Sequence, residues 1–156
     1  MSVAFRRESD DEHLEPKFEI PIPSGPNLVT ACGLALIGER IGELEARLEA
    51  GGEEAAIAAI KRDLRYWQTR QITAQLVPEP DGETVEFGTT VTFALNGKEN
   101  TLAIVGDDEA DPAKGKIAFS APLGRALMGS ETGEFVDFGG KQDAIEVLAI
   151  TVPAAS

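Results

Sequence analysis

Two apolar runs flanking a double glycine constrain this chain more than any other feature. Leu34, Ile37, Ile41, Leu44 and Leu48 recur at spacings of 3, 4, 3 and 4. Ile57, Ile60, Leu64 and Trp67 recur at 3, 4 and 3. Both are the narrow seams of helices that pack along one stripe. Gly51-Gly52 separates them and marks a turn. Folding the chain back there sets Leu48 against Ile57, Leu44 against Ile60, Ile41 against Leu64 and Ile37 against Trp67. The paired positions add to 104 or 105 throughout, the near-constant value that an antiparallel pair demands. The spacing predicts an antiparallel two-helix coiled coil with a free tip.

Gly33, Gly38 and Gly42 lie inside the first helix, where each costs about 1 kcal/mol relative to alanine. In the predicted register Gly38 faces Tyr66 and Trp67, so the glycines are expected to make room for those rings. Pro78 and Pro80 end the second helix. The hairpin therefore takes up residues 26–78.

The flanking regions differ from it in pattern. Residues 1–25 read as a tail: Arg6 to Glu15 is polar and charged, and Pro16, Pro21, Pro23 and Pro26 forbid a regular helix. Phe18 to Pro23 either lies extended on the folded part or belongs to a mobile N-terminus. Residues 79–156 read as a small sheet domain, with strands expected over 85–95, 100–105, 116–120, 134–138 and 144–152. Asn96-Gly97 marks a hairpin between the first two. A short helix is expected from Pro122 to Met128, with proline in its first turn and Gly129 at its stop. The fold class is α+β.

Composition narrows the function. The 156 residues are 42% hydrophobic, enough to build a core. The net charge of −13 opposes broad binding to a phosphate backbone or an anionic membrane and suits docking on a basic partner. No apolar run approaches the ~20 residues of a membrane helix, and none follows Arg6-Arg7, so neither a membrane span nor a secretory signal is expected. A lone cysteine, Cys32, excludes an internal disulfide and a cysteine-built zinc site. A reducing cytoplasm is the expected setting. The single histidine, His13, sits in the tail, so no serine or cysteine has a base for triad hydrolysis. Glycine loops of the P-loop or dinucleotide type are absent.

Three clusters remain. Glu49, Glu53 and Glu54 flank the turn. Glu53 and Glu54 suit the helix N-terminus at which they sit, or the three carboxylates reach from a rigid rod to a divalent ion. Asp107-Asp108-Glu109-Ala110-Asp111 resembles a calcium loop but carries Pro112 and Ala118 where glycine and a bidentate glutamate are needed. It reads as a solvated acidic turn. Lys61, Arg62, Arg65 and Arg70 make the second helix basic. They either pair with glutamates of the first helix or meet a nucleic-acid strand or an acidic groove.

The C-terminal half carries a family pattern. It runs Ile104-Val105-Gly106-Asp107-Asp108-Glu109-Ala110-Asp111, Gly115-Lys116-Ile117, Ala121-Pro122-Leu123-Gly124-Arg125-Ala126-Leu127-Met128-Gly129, Gly133-Glu134 and Ile145 to Ile150. Pro26-Asn27-Leu28-Val29-Thr30 with Gly33-Leu34 matches the start of the same family's coiled coil. In these residues the chain resembles the GreA/GreB bacterial transcription elongation factors. The resemblance implies an FKBP-like C-terminal domain, an antiparallel β-sheet with one short helix, that docks at the rim of the RNA polymerase secondary channel, through Ser120-Ala121-Pro122 with Asp107 and Asp111. It implies a coiled coil entering the channel near the transcript RNA. Acidic tip residues, here Glu49, Glu53 and Glu54, would help hold the second magnesium of the polymerase, which itself hydrolyses backtracked RNA. The factor would be no enzyme, would hold no cofactor alone, and is expected to be a monomer.

The chain departs from that pattern in three places. The family's tip runs aspartate, serine, glutamate, asparagine, whereas here it reads Leu48-Glu49-Ala50-Gly51-Gly52-Glu53-Glu54-Ala55. Asn27 to Ala50 is 24 residues, about 36 Å of helix, and the family's hairpin is longer. A tip one turn short, by about 5 Å, would miss a metal bound at about 2 Å. The docking segment keeps only the proline of the family's asparagine or aspartate, serine, proline. The departures leave a cleavage factor and a secondary-channel competitor both open. An FKBP-like prolyl isomerase or peptide-binding module is the third reading. Its aromatics would be Phe87, Phe93, Phe119, Phe135 and Phe138, and strand spacing assigns these to the core.

Overall fold

A computed structural model describes residues 19–152. His13, Phe18 and most of the expected tail lie outside the described residues. The chain forms two compact units. One comprises Ile37–Thr73 with the described residues before Pro26, and the other comprises Pro26–Leu36 and the chain from Ala74 onward.

The first unit is built on an antiparallel helical hairpin. Helices α1 (Ala31–Ala50) and α2 (Glu54–Thr73) each have 20 residues, about 30 Å of rod. Ile37, Ile41 and Leu44 are buried on α1, as are Ile60 and Leu64 on α2. Leu48, Ile57 and Trp67 are half-buried. Burial along the seam is thus complete at Ile37, Ile41 and Leu44 and at Ile60 and Leu64, and falls off toward the tip.

Only Gly51, Gly52 and Glu53 connect the helices. Gly51 has φ +80° and Gly52 φ +149°, which a side chain at either position would strain. The Gly51 amide donates to the Leu48 carbonyl at 3.1 Å and closes α1, while the Glu53 carbonyl accepts from the Ile57 amide at 3.0 Å and opens α2. The expected role of Gly38 and Gly42 does not hold. Both are exposed, and a Cβ at either would meet nothing within 4 Å. Tyr66 and Trp67 instead stack edge to face on each other at 5.2 Å.

The second unit opens with a parallel two-stranded ribbon, β1 (Leu28–Val29) and β2 (Gln75–Leu76). Parallel strands need a crossover, and the helical hairpin is the connection between these two. The strands β3 (Thr90–Leu95), β4 (Lys98–Val105), β5 (Lys116–Ala118), β6 (Phe135–Phe138) and β7 (Lys141–Thr151) form one sheet in the order β5-β4-β3-β7-β6. Asn96 (φ 52°) and Gly97 (φ 86°) make the predicted hairpin turn, with both central residues left-handed as the type I′ turn requires. Leu148 is bulged, because Thr92 pairs with Ala149 and Phe93 with Val147.

The sheet differs from the expected one in two respects. It is mixed, since β5 runs parallel to β4, with Ala103 opposite Lys116. Residues 106–115 double back through a 3₁₀ turn, Pro112–Lys114, so β5 lies beside the last three residues of β4. The strand expected from Val85 begins only at Thr90. A turn over Glu86–Thr89 interrupts it, held by the Thr89 amide on the Glu86 carbonyl at 3.0 Å and the Thr89 hydroxyl on the same carbonyl at 2.7 Å.

Val85, Val91, Phe93, Ile104, Leu127, Ile145 and Val147 form the core of this unit. Leu127 belongs to the short helix α3 (Pro122–Leu127). Phe87 and Phe119 meet edge to face at 5.5 Å, and Phe119 and Phe138 pack against the core. Phe135 is the exception, at 57% exposure. Among the described residues no helix is long and apolar enough to cross a membrane.

The glycines of α1 separate into two kinds. A Cβ on Gly33 would lie 2.8 Å from Glu109 Oε1. Gly38→Ala and Gly42→Ala are expected to raise stability by about 0.5–1 kcal/mol each, and Gly33→Ala to lower it. Thermal unfolding followed by circular dichroism checks the opposite signs.

Candidate functional site

Three groups of polar residues stand out, and each is described within its own unit. The first is the hairpin tip. Glu49 lies in the last turn of α1, Glu53 closes the connection and Glu54 begins α2, all three exposed. Carboxylates at the start of α2 are favourable with the helix dipole. Among the described residues no group of three or more histidine, cysteine or acidic side chains is arranged to hold a metal.

The second group centres on the acidic turn after β4, and it is not simply solvated. Glu109 is buried, at 9% exposure. Its Oε1 accepts a hydrogen bond of 2.6 Å from the Thr30 hydroxyl, and its Oε2 lies 3.7 Å from Lys116 Nζ. Thr30 is the residue before α1. Its hydroxyl accepts from the Gly33 amide at 2.9 Å, and its carbonyl accepts from the Leu34 amide at 2.9 Å. Thr30 therefore caps the helix with its oxygen and spends its hydroxyl proton on Glu109. Gly106 brings the turn against the backbone of β1: a Cβ there would overlap the Leu28 carbonyl.

Two other acidic residues of the turn engage different partners. Asp107 Oδ1 accepts from the Ser120 hydroxyl. Asp111 is held through its backbone, exchanging bonds of 2.9 and 3.1 Å with Lys116. Ser120 and Pro122 are exposed and Ala121 is half-buried. Ala121 is extended, with φ −70° and ψ 153°, and leads into α3. Gly124 seats that helix, because a Cβ there would come within 2.5 Å of the Ala118 carbonyl. Asp107, Ser120, Ala121 and Pro122 thus share one surface, while Asp111 sits at the start of the 3₁₀ turn.

The third group is the basic face of α2. Lys61 and Arg65 are exposed and Arg62 is half-buried. Arg62 binds Asp63 Oδ1 at 3.1 and 3.2 Å. Arg65 grips both oxygens of Glu19, at 2.6 and 2.8 Å. Arg70 does not belong to a surface patch. It is 2% exposed, with its guanidinium 6.0 Å from the Tyr66 ring centre, so it serves the interior of the hairpin unit.

Comparison with known proteins decides the family. The family described as "Transcription elongation factor, GreA/GreB, C-term" matches residues 79–152. The transcription elongation factor GreA of Pseudomonas putida is 33% identical over 141 residues, covering 87% of this chain and 84% of that protein. The chain belongs to the GreA/GreB family. GreA of Thioalkalivibrio sulfidiphilus is 39% identical over 110 residues, covering 67% of this chain and 66% of the relative. Among solved structures, GreA factor homolog 1 of Thermus thermophilus is 18% identical, with a TM-score of 0.37 over 81% of this chain and 99% of that one. The GreA/GreB factor of Nitrosomonas europaea is 21% identical, with a TM-score of 0.39 over 82% and 99%.

The family motif in the acidic turn gains a physical reason from the Thr30–Glu109 contact. The sequence carried half of that signal, since Thr30 before an apolar periodic run is a helix-start residue. The partner 79 positions away left no local trace. Thr30→Val removes the cap and strands a buried carboxylate oxygen, and should cost about 1–3 kcal/mol. Thr30→Ser should restore most of it. Hydrogen exchange at the Gly33 and Leu34 amides reports the loss and the rescue.

The Arg65 hydrogen bonds hold the Glu19 carboxyl below its usual range, with the Arg65 and Arg62 charges acting in the same direction. A carboxylate lowered in the folded state contributes stability above its unfolded pKa and loses it as pH falls through the lowered value. In an NMR titration the Glu19 side chain should have its midpoint below an ordinary glutamate, near 4.3, and return to it in Arg65→Gln.

Proposed function

We propose that this chain acts on RNA polymerase as a transcription elongation factor, without being an enzyme itself. The sheet domain would dock at the rim of the secondary channel, through the surface shared by Asp107, Ser120, Ala121 and Pro122, with Asp111 beside it. The hairpin would enter the channel and present its tip. The observation that carries this reading is the family match, spanning 87% of the chain, joined to a hairpin that ends in three exposed carboxylates.

Glu53 and Glu54, with Glu49 across the turn, supply the hard oxygen donors that magnesium prefers. The metal would belong to the polymerase, and there it would supply the charge that activates water and stabilises a leaving oxygen. What this chain contributes is charge at the end of a stiff rod. The two tip glycines confine the connection to three residues and keep Glu53 and Glu54 next to the first turn of α2.

A second reading, a channel competitor that stimulates no cleavage, draws on the same tip. Its connection is short and lacks the family's aspartate, serine and asparagine. Prolyl isomerase activity finds little support, because Phe87, Phe93, Phe119 and Phe138 are used in or against the core.

RNA cleavage in a stalled, backtracked polymerase complex separates the readings. Faster cleavage with this protein alone, lost in the double variant Glu53→Gln with Glu54→Gln, is the expected outcome. Inhibition of an authentic cleavage factor that persists in the double variant identifies a competitor. No effect of any kind would falsify polymerase docking.

A further inference from the structure

The sheet carries a groove at the end opposite the acidic turn. β4 starts beside the Asn96-Gly97 turn and runs eight residues to Val105, about 25 Å of strand, so the groove lies well away from Asp107 and Ser120. Its volume is about 280 Å³, and its lining includes Ala94, Asn96, Phe135, Lys141, Asp143 and Glu146. Register explains which face it occupies. Phe135 lies opposite Glu146, and Glu146 opposite Ala94, so the three form a row across β6, β7 and β3. The next row is Val136, Ile145 and Leu95, and it packs in the core. The Phe135 row therefore faces away from the core, which accounts for the exposed ring.

The groove is also open at its side. β6 is the last strand of the sheet, and an unpaired edge is a template for one more strand. Asp143 is fixed beside it in left-handed backbone, φ 52°, with its amide donating to Asp137 Oδ1 at 2.8 Å.

Size and charge select the occupant. The volume falls at the lower end of small-molecule pockets, about 300–1,000 Å³, and suits one long side chain better than a cofactor. Among the described residues the carboxylates of Asp143 and Glu146 have no hydrogen-bond or ion-pair partner, and neither has the Lys141 ammonium. Two carboxylates against one ammonium leave the groove net negative. It lies within residues 79–156, which hold 14 acidic and 5 basic side chains. A guanidinium bonds carboxylates in a bidentate fork and lies flat on an aromatic face. Glu146, Asp143 and Phe135 together match arginine better than lysine, and Lys141 limits how tightly any cation is held.

We infer that this groove takes an arginine side chain of an extended, basic polypeptide segment, which adds beside β6 as a new edge strand. The site is distinct from the Ser120 surface, and both can be occupied at once. It is read without polymerase, so its failure leaves the docking proposal standing.

The probe is a capped pentapeptide of valine and threonine with one central arginine, beside the same peptide carrying neutral citrulline. Each is titrated into the isotope-labelled full chain at about 50 mM salt, where surface electrostatics is strong, and amide shifts are followed by NMR. The arginine peptide should give saturable shifts at Ala94, Phe135, Asp143 and Glu146. Citrulline should weaken binding about fivefold, the upper scale of one exposed ion pair. Glu146→Gln should weaken the arginine peptide by a similar factor, and Lys141→Gln should tighten it. Unchanged circular dichroism verifies the fold of each variant. Equal binding of the two peptides overturns the assignment, as do shifts confined to other parts of the sheet domain. Weaker binding in Lys141→Gln marks a groove for a carboxylate and overturns it too. Spermidine that saturates the same shifts as tightly as the arginine peptide makes this a site for small cations, and the polypeptide partner is then wrong.

Discussion

A buried carboxylate has to be satisfied where it sits, and Glu109 is satisfied by the residue that starts the first helix. Burying a charged group costs several kcal/mol unless hydrogen bonds and an opposite charge replace water. Glu109 accepts a hydrogen bond from the Thr30 hydroxyl on one oxygen and faces Lys116 with the other. Thr30 in turn uses its oxygen on the Gly33 amide. One hydroxyl thereby ends the irregular chain, starts α1 and seats the acidic turn. The glycines nearby follow from it, since Gly33 leaves space for the carboxylate and Gly106 lets the turn reach the β1 backbone. Lys116 is also the first residue of β5, so the parallel edge of the sheet is tied to the same group.

Local signals in the sequence account for the helical hairpin, the Asn96-Gly97 turn and α3. Each rests on periodicity or on backbone preferences that act over a few residues. The parts that stayed hidden depend on distant partners. Strands β1 and β2 have two residues each and exist because the hairpin returns the chain to its own root. The direction of β5 is set by how residues 106–115 fold back, and strand composition is silent on that. Gly38 shows the limit of register arguments: position along a seam does not say whether a glycine faces the partner or the solvent.

The candidate sites divide in the same way. The tip carboxylates were legible, because flanking a double glycine leaves them nowhere to go but outward. Arg70 was not, since a guanidinium buried beside Tyr66 has the same letter as one in solvent. Arg65 was legible only in part: the sequence left open that Phe18 to Pro23 lies on the folded part, but did not name Glu19 as the partner of Arg65. The acidic turn looked uniform and is not. Glu109 faces the interior, Asp107 holds Ser120, and Asp111 works through its backbone.

The three-residue tip also bears on how such a rod can change length. With no slack between α1 and α2, an insertion in one arm alone shifts the layers between it and the root of the hairpin out of phase. Only matched additions to both arms, in steps that preserve the 3-and-4 alternation, leave the layers in place. Reach is therefore quantised. The seam thus acts as a ruler: a matched pair of added turns lengthens the rod and keeps its layers, while an unmatched one loses seam packing.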